Sequence, residues 1–147
     1  MTRGSSVRLD FRSSLDMLDL VQGVSDHMGK ASGLDEEALH WLGVAVRECV
    51  VNAITHGNQN DANKRVHLEF TSFEDQAGPG VSIRVRDEGA GFDPGSLPDC
   101  CAPENLLKSS GRGIFLIRNF MDEMDLRRAP EGGMEVVMVK RAQPQQA

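Results

Sequence analysis

Two hydrophobic periods alternate along this chain, and their order narrows the possible architecture. In residues 34–57, Leu39, Leu42, Val46, Val50 and Ala53 recur at helical spacing. Elsewhere every second residue is apolar: Val7, Leu9 and Phe11; Val66, Leu68 and Phe70; Val81, Ile83 and Val85. A helix with one apolar stripe and a strand with one apolar face must bury them against each other. The full order reads strand 7–11, helix 15–28, helix 34–57, strand 65–73, turn 75–80 and strand 81–86. A Gly-, Pro- and Asp-rich loop follows over 87–103, then a helix over 113–124. Two last strands, near 125–128 and 134–141, flank a turn at 130–133. This predicts an α/β two-layer sandwich, with helices on one face of a mixed, mostly antiparallel sheet. The 34–57 helix carries its own start signal. Asp35 is placed to cap it, Glu36 and Glu37 sit at its positive end, and Leu34 can staple onto Leu39. Gly57 and Asn58 stop it.

At 147 residues the chain fits one domain, 1–147, with a frayed tail at about 142–147. Its 39% hydrophobic and 26% charged residues are globular composition. A net charge of −6 weighs against general binding to nucleic acid. No apolar run is long enough to span a membrane, and Arg3 and Arg8 precede no apolar signal core. Cys49 lies in a helical pattern and Cys100 adjoins Cys101, so no disulfide framework is expected and a reducing, cytoplasmic setting is. Trp41, Val44 and Val51 lie off the main stripe of their helix, a second apolar side that suggests a subunit or partner contact. Arg127 and Arg128 read as a solvated edge.

Three constellations carry chemistry. Glu48, Asn52 and His56 are spaced four apart and line one side of the long helix, away from its apolar stripe. An amide oxygen is a hard ligand for Mg²⁺, and a carboxylate one turn earlier can orient or deprotonate an attacking hydroxyl. Next, Asp87 ends the Val81–Ile83–Val85 face, and a carboxylate on an apolar face needs a partner. The 6-amino group of adenine would serve, whereas the carbonyl oxygen of guanine would be repelled. Gly89 and Gly91 leave room for close backbone approach. Last, Gly111-Arg112-Gly113 opens a helix, where free N–H groups favour phosphate. Read singly, these also fit a solvated helix face, an acidic turn and a flexible helix entry.

Read together and in this order, they resemble the N, G1 and G2 boxes of the GHKL (Bergerat-fold) ATPases. The run from Glu48 through Asn52 and His56 to Gly57 resembles the small anti-sigma-factor serine-protein kinases in particular, as does the segment from Gly111 to Met124. The likeness spans nearly the whole chain. It implies a Bergerat fold that binds ATP and Mg²⁺. Asp87 would bind the adenine amine, and Gly89, Gly91 and Phe92 would shape the base pocket. Asn52 would hold Mg²⁺ and Glu48 would be the general base. Gly111, Arg112 and Gly113 would contact phosphates from the end of a mobile lid over about 93–110. Some members carry an Arg just before the Gly-x-Gly; this chain has Leu107-Lys108-Ser109-Ser110, where Lys108 or Arg112 would stand in. The family phosphorylates a serine of a small antagonist protein, sequesters a sigma factor and works as a homodimer. Two other readings are a non-catalytic, ATP-dependent protein-binding regulator and a detached histidine-kinase ATP-binding domain.

Overall fold

The computed structural model describes residues 2–89 and 118–142. Strand β1 (Thr2–Arg12) leads through a 3₁₀ turn (Leu15–Met17) into helix α1 (Leu18–Ala31) and then α2 (Glu36–Asn52). A π-helical segment (Ala53–Gly57) extends α2, followed by β2 (Arg65–Asp75), β3 (Gly78–Arg86), β4 (Glu123–Arg128) and β5 (Met134–Arg141). The five strands form one sheet in the order β1-β2-β3-β5-β4. Every pair is antiparallel, so the sheet is not mixed among the described residues.

Both helices lie on one face of the sheet. Val66, Leu68 and Phe70 of β2, Val81, Ile83 and Val85 of β3, and Val136 and Met138 of β5 point into this core. Val21 and Met28 of α1 and Leu42, Val46 and Val50 of α2 meet them there. Period two on the strands and period 3.6 on the helices thus produce the expected two layers. The start of α2 is as expected too: the Asp35 carboxylate accepts from the Ala38 N–H at 2.8 Å.

Two expectations need correction. Helical spacing through Met121 suggested a helix reaching Met124, but Met124 is in β4, opposite Met138. Met124 and Leu126 also satisfy period two, and pairing with β5 decides between the periods: Asp122 N–H already donates to Val139 O at 3.0 Å. The second apolar side of α2 is occupied by the chain itself. The Phe120 ring stacks on Trp41 with centroids 3.6 Å apart and planes 2° from parallel, while Val44 and Val51 pack against the core.

The opposite face of the sheet carries charge in pairs. Arg8 meets Glu69 at 2.7 Å, Arg65 meets Asp10 at 2.5 Å, and Arg141 meets Asp75 at 2.7 Å. Glu135 is the extreme case, with a side chain only 1% exposed between Arg84 and Arg127. Arg127 lies on the edge strand β4 with its side chain 55% exposed, as expected, and its guanidinium reaches inward to the buried Glu135 carboxylate at 2.5 Å.

Cys49 faces the core, with its thiol 3.7 Å from the Met138 sulfur. Burial, helped by the neighbouring charge of Glu48, pushes the thiol up to about 12. The reactive thiolate is then about one part in ten thousand at pH 8. Alkylation with iodoacetamide at pH 8, mapped by peptide mass, is expected to leave Cys49 unmodified in native protein and to modify it in guanidinium. Labelling of Cys49 under native conditions at the denatured rate would contradict this packing.

Candidate functional site

Strand alternation carries Asp87 inward after Val81, Ile83 and Val85, and it is 5% exposed. No arginine or lysine among the described residues pairs with its carboxylate. Backbone holds it instead. Oδ1 accepts from the N–H of Gly89 at 2.9 Å and from the N–H of Met134 at 3.1 Å. The Asp87 N–H in turn donates to Met134 O at 3.0 Å. Oδ2 accepts no hydrogen bond from a described residue and lies against Gly57.

Three glycines make this convergence possible. A Cβ on Gly57 would overlap Asp87 Oδ2, one on Gly89 would overlap Gly57 O, and one on Gly133 would overlap Asp87 O. Gly133 also has φ +81°, a left-handed conformation that disfavours any side chain. The end of α2, the exit of β3 and the β4–β5 turn therefore meet backbone to carboxylate. Gly89 is expected from the sequence to leave room for backbone beside a base, and its close neighbour here is Gly57 O; Gly57 is expected only as a helix stop and Gly133 only as part of a turn.

Glu48 and Asn52 stand one turn apart on α2, each half-buried. The amide nitrogen of Asn52 is buried without a hydrogen-bond partner, so no internal bond to that nitrogen fixes the side chain. His56 does not continue their row. The α-helix ends at Asn52 and the π segment intervenes, marked by the Asn58 N–H to Ala53 O bond at 2.8 Å. One extra residue per turn breaks the four-residue spacing, and His56 is exposed.

Asn58, read from the sequence as part of the helix stop, is fully buried. Its Nδ2 donates to Ser13 Oγ and to Arg65 O, both at 2.9 Å. Its Oδ1 accepts from the Glu88 N–H at 2.8 Å. The Glu88 carboxylate is tied down as well, by the Arg65 N–H at 2.8 Å and by His67 Nε2 at 2.7 Å. The hydrogen bond from His67, followed by that from the Arg65 N–H, holds the Glu88 carboxyl below its ordinary range. The turn 87–89 is thus fixed at each backbone N–H, by a different partner each time. Gly91, Phe92, Lys108, Gly111, Arg112 and Gly113 lie outside the described residues, as does the expected lid.

Gly57→Ala is expected to destabilise the fold by about 1–3 kcal/mol, because the carboxylate it strikes is pinned by two N–H groups and cannot swing away. Gly23 of α1 provides the contrast, since a Cβ there would meet nothing within 4 Å. Gly23→Ala is expected to stabilise by about 0.5–1 kcal/mol through helix propensity. Urea unfolding of both variants checks the pair; equal effects would mean that the space around Asp87 is not tight.

Residues 11–140 match the family model described as histidine kinase-like ATPase domain. The chain is 37% identical over 100 residues to the anti-sigma F factor of Oceanobacillus iheyensis, covering 65% of this chain and 64% of that protein. It is 32% identical over 109 residues to the anti-sigma F factor of Clostridium perfringens, covering 71% and 74%. Against the serine-protein kinase RsbW of Listeria monocytogenes it is 28% identical over 115 residues, covering 74% and 69%. A solved histidine kinase domain, from the blue-light activated histidine kinase of Erythrobacter litoralis, superposes with a TM-score of 0.50 at 18% identity. That superposition covers 85% of this chain and 63% of the other, and at this identity it speaks for the fold alone. Since the family match runs from the end of β1 into β5 and takes in α2 and the Asp87 turn, the chain belongs to the histidine kinase-like ATPase family.

Proposed function

We propose that this chain is an ATP-dependent serine-protein kinase that acts as an anti-sigma factor, binding a sigma factor and phosphorylating a serine of a small antagonist protein. The observation that carries the reading is the Asp87 carboxylate, buried at the end of an apolar strand, with one oxygen that accepts no bond from a described residue beside the helix of Glu48 and Asn52. The names of the similar relatives, anti-sigma F factor and serine-protein kinase, supply the partner class and the chemistry. A homodimer working in the cytoplasm belongs to the same reading. Among the described residues no helix is long and apolar enough to cross a membrane.

The residues divide the work. Asp87 Oδ2 accepts from the adenine amino group, and the Gly57–Gly89 contact leaves that oxygen unobstructed by side chains. Gly91 and Phe92 complete the base pocket. Asn52 offers its amide oxygen to Mg²⁺, a role its unbonded amide nitrogen leaves open. Bound with the nucleotide, Mg²⁺ would neutralise phosphate charge. Glu48, one turn before Asn52, takes the proton of the acceptor serine. Lys108, Gly111, Arg112 and Gly113 hold the phosphates. A second reading, in which ATP only shapes a docking surface, predicts the same binding without transfer of phosphate.

Asp87→Asn separates recognition from fold. The amide oxygen can keep the Gly89 and Met134 bonds, which puts the NH₂ group where Oδ2 faced the adenine amine. Donor then meets donor, and loss of a charge-assisted bond worth roughly 1.5–3 kcal/mol weakens ATP binding about ten- to hundredfold. Titration calorimetry with Mg–ATP reads this directly, and an unchanged Kd would remove Asp87 from the site.

Glu48→Gln separates binding from chemistry. Gln keeps the shape of Glu but cannot take a proton, so transfer to the antagonist serine is expected to fall by about 10²–10⁴ while ATP affinity changes less than about tenfold. The assay mixes purified protein, radiolabelled ATP and a candidate antagonist. Label on the antagonist from the wild type establishes the kinase, whereas bound ATP with no label selects the docking reading. Full transfer by the variant would end the assignment of Glu48 as base.

A further inference from the structure

Three consecutive N–H groups define the turn that bears Asp87. That of Asp87 goes to β5, and that of Gly89 goes back to the Asp87 side chain. The middle one, of Glu88, goes to Asn58 Oδ1 at 2.8 Å. Among the described residues this is the one hydrogen bond joining the end of α2 to the Asp87 turn. Asn58 is itself immobilised. Both protons of its amide are donated, to Ser13 Oγ and Arg65 O, and its own N–H closes the π turn. Ser13 in turn donates to Lys64 O at 2.8 Å. A fully buried amide with both donors and its acceptor engaged admits a single orientation.

We propose that Asn58 is the positioning residue for nucleobase recognition, setting the direction of the Asp87 carboxylate through the Glu88 N–H. The inference rests on the reading of Asp87 as the group that accepts from adenine. Without the Asn58 bond the 87–88 peptide can rotate and carry the Gly89 N–H away from Oδ1, which leaves the carboxylate held by the Met134 N–H alone and free to pivot about that bond. A displacement near 1 Å is enough to cost about a hundredfold where geometry is demanding. Phosphate contacts made elsewhere in the chain would be untouched, so the loss should depend on the base.

The experiment measures Kd for Mg–ATP and Mg–ITP by calorimetry. ITP carries a carbonyl oxygen where ATP carries the amino group. Wild type is expected to prefer ATP at least about tenfold, since one hydrogen bond to a charged group is at stake. In Asn58→Ala the preference is expected to collapse to within about threefold, through loss of ATP affinity with ITP affinity nearly unchanged. Asn58→Asp keeps an acceptor for the Glu88 N–H but places an oxygen against Arg65 O. It should lose thermal stability yet keep the preference for ATP, and it carries the test should the alanine variant not fold. Ser13→Ala, which removes only an outer support, should also keep the preference. Retention of the wild-type ratio in Asn58→Ala, or its loss in Asn58→Asp, would overturn the proposal. If the wild type itself does not distinguish ATP from ITP, the failure lies with Asp87 as the adenine acceptor.

Discussion

A carboxylate held by backbone N–H groups at the end of an apolar strand is the constraint around which this structure is arranged. Burying an ionised side chain without a cation is expensive, and partial dipoles must make up the difference. Asp87 obtains two, the N–H groups of Gly89 and Met134. For both to reach one oxygen, the β4–β5 turn and the exit of β3 must approach more closely than side chains allow. Gly57, Gly89 and Gly133 are the consequence. The sheet order follows the same need, because β5 rather than β4 lies beside β3 and brings Met134 to Asp87.

The other face of the sheet handles buried charge in the opposite way. Glu135 is as inaccessible as any carboxylate among the described residues, but two guanidinium groups flank it. Arg84 bridges onward to Glu131 in the β4–β5 turn at 2.9 Å, fastening the turn that reaches Asp87. One carboxylate is neutralised inside the protein and serves the frame. The other keeps an oxygen without a bond from any described residue. The proposed adenine contact uses that oxygen, so the asymmetry between the two carboxylates is what the proposed function draws on.

Much of this was legible in the sequence because it depends on local periods. Alternation at Val81, Ile83, Val85 and Asp87 placed the carboxylate inward before any contact was seen, and the Asp35 cap fixed the start of α2. What stayed hidden depends on residues brought together from distant parts of the chain. Asn58 follows a glycine and looks like an ordinary helix stop; its partners Ser13, Arg65 and Glu88 lie 45, 7 and 30 residues away. Nothing local to Glu135 shows that Arg84 and Arg127 close over it, since they come from β3 and β4. Met124 fitted two periods equally, and only the β5 ladder selected one. Trp41 appeared to await a partner because Phe120, which covers it, is 79 positions further on.

The π segment explains how one short stretch serves both the helix and the turn. An α-helix continued through residue 58 would keep His56 in line with Glu48 and Asn52. The wider turn, closed by the Asn58 N–H on Ala53 O, inserts one residue into that cycle. His56 is left in solvent, Gly57 comes flat against Asp87, and Asn58 lies fully buried between β1, β2 and the exit of β3. A π turn is less favourable than an α turn and persists where surrounding contacts hold it, which here are the four hydrogen bonds made by the Asn58 backbone N–H and side chain. The helix bearing Glu48 and Asn52 and the strand bearing Asp87 are therefore not independent supports. They share one buried amide, which ties the end of the helix to the turn after β3.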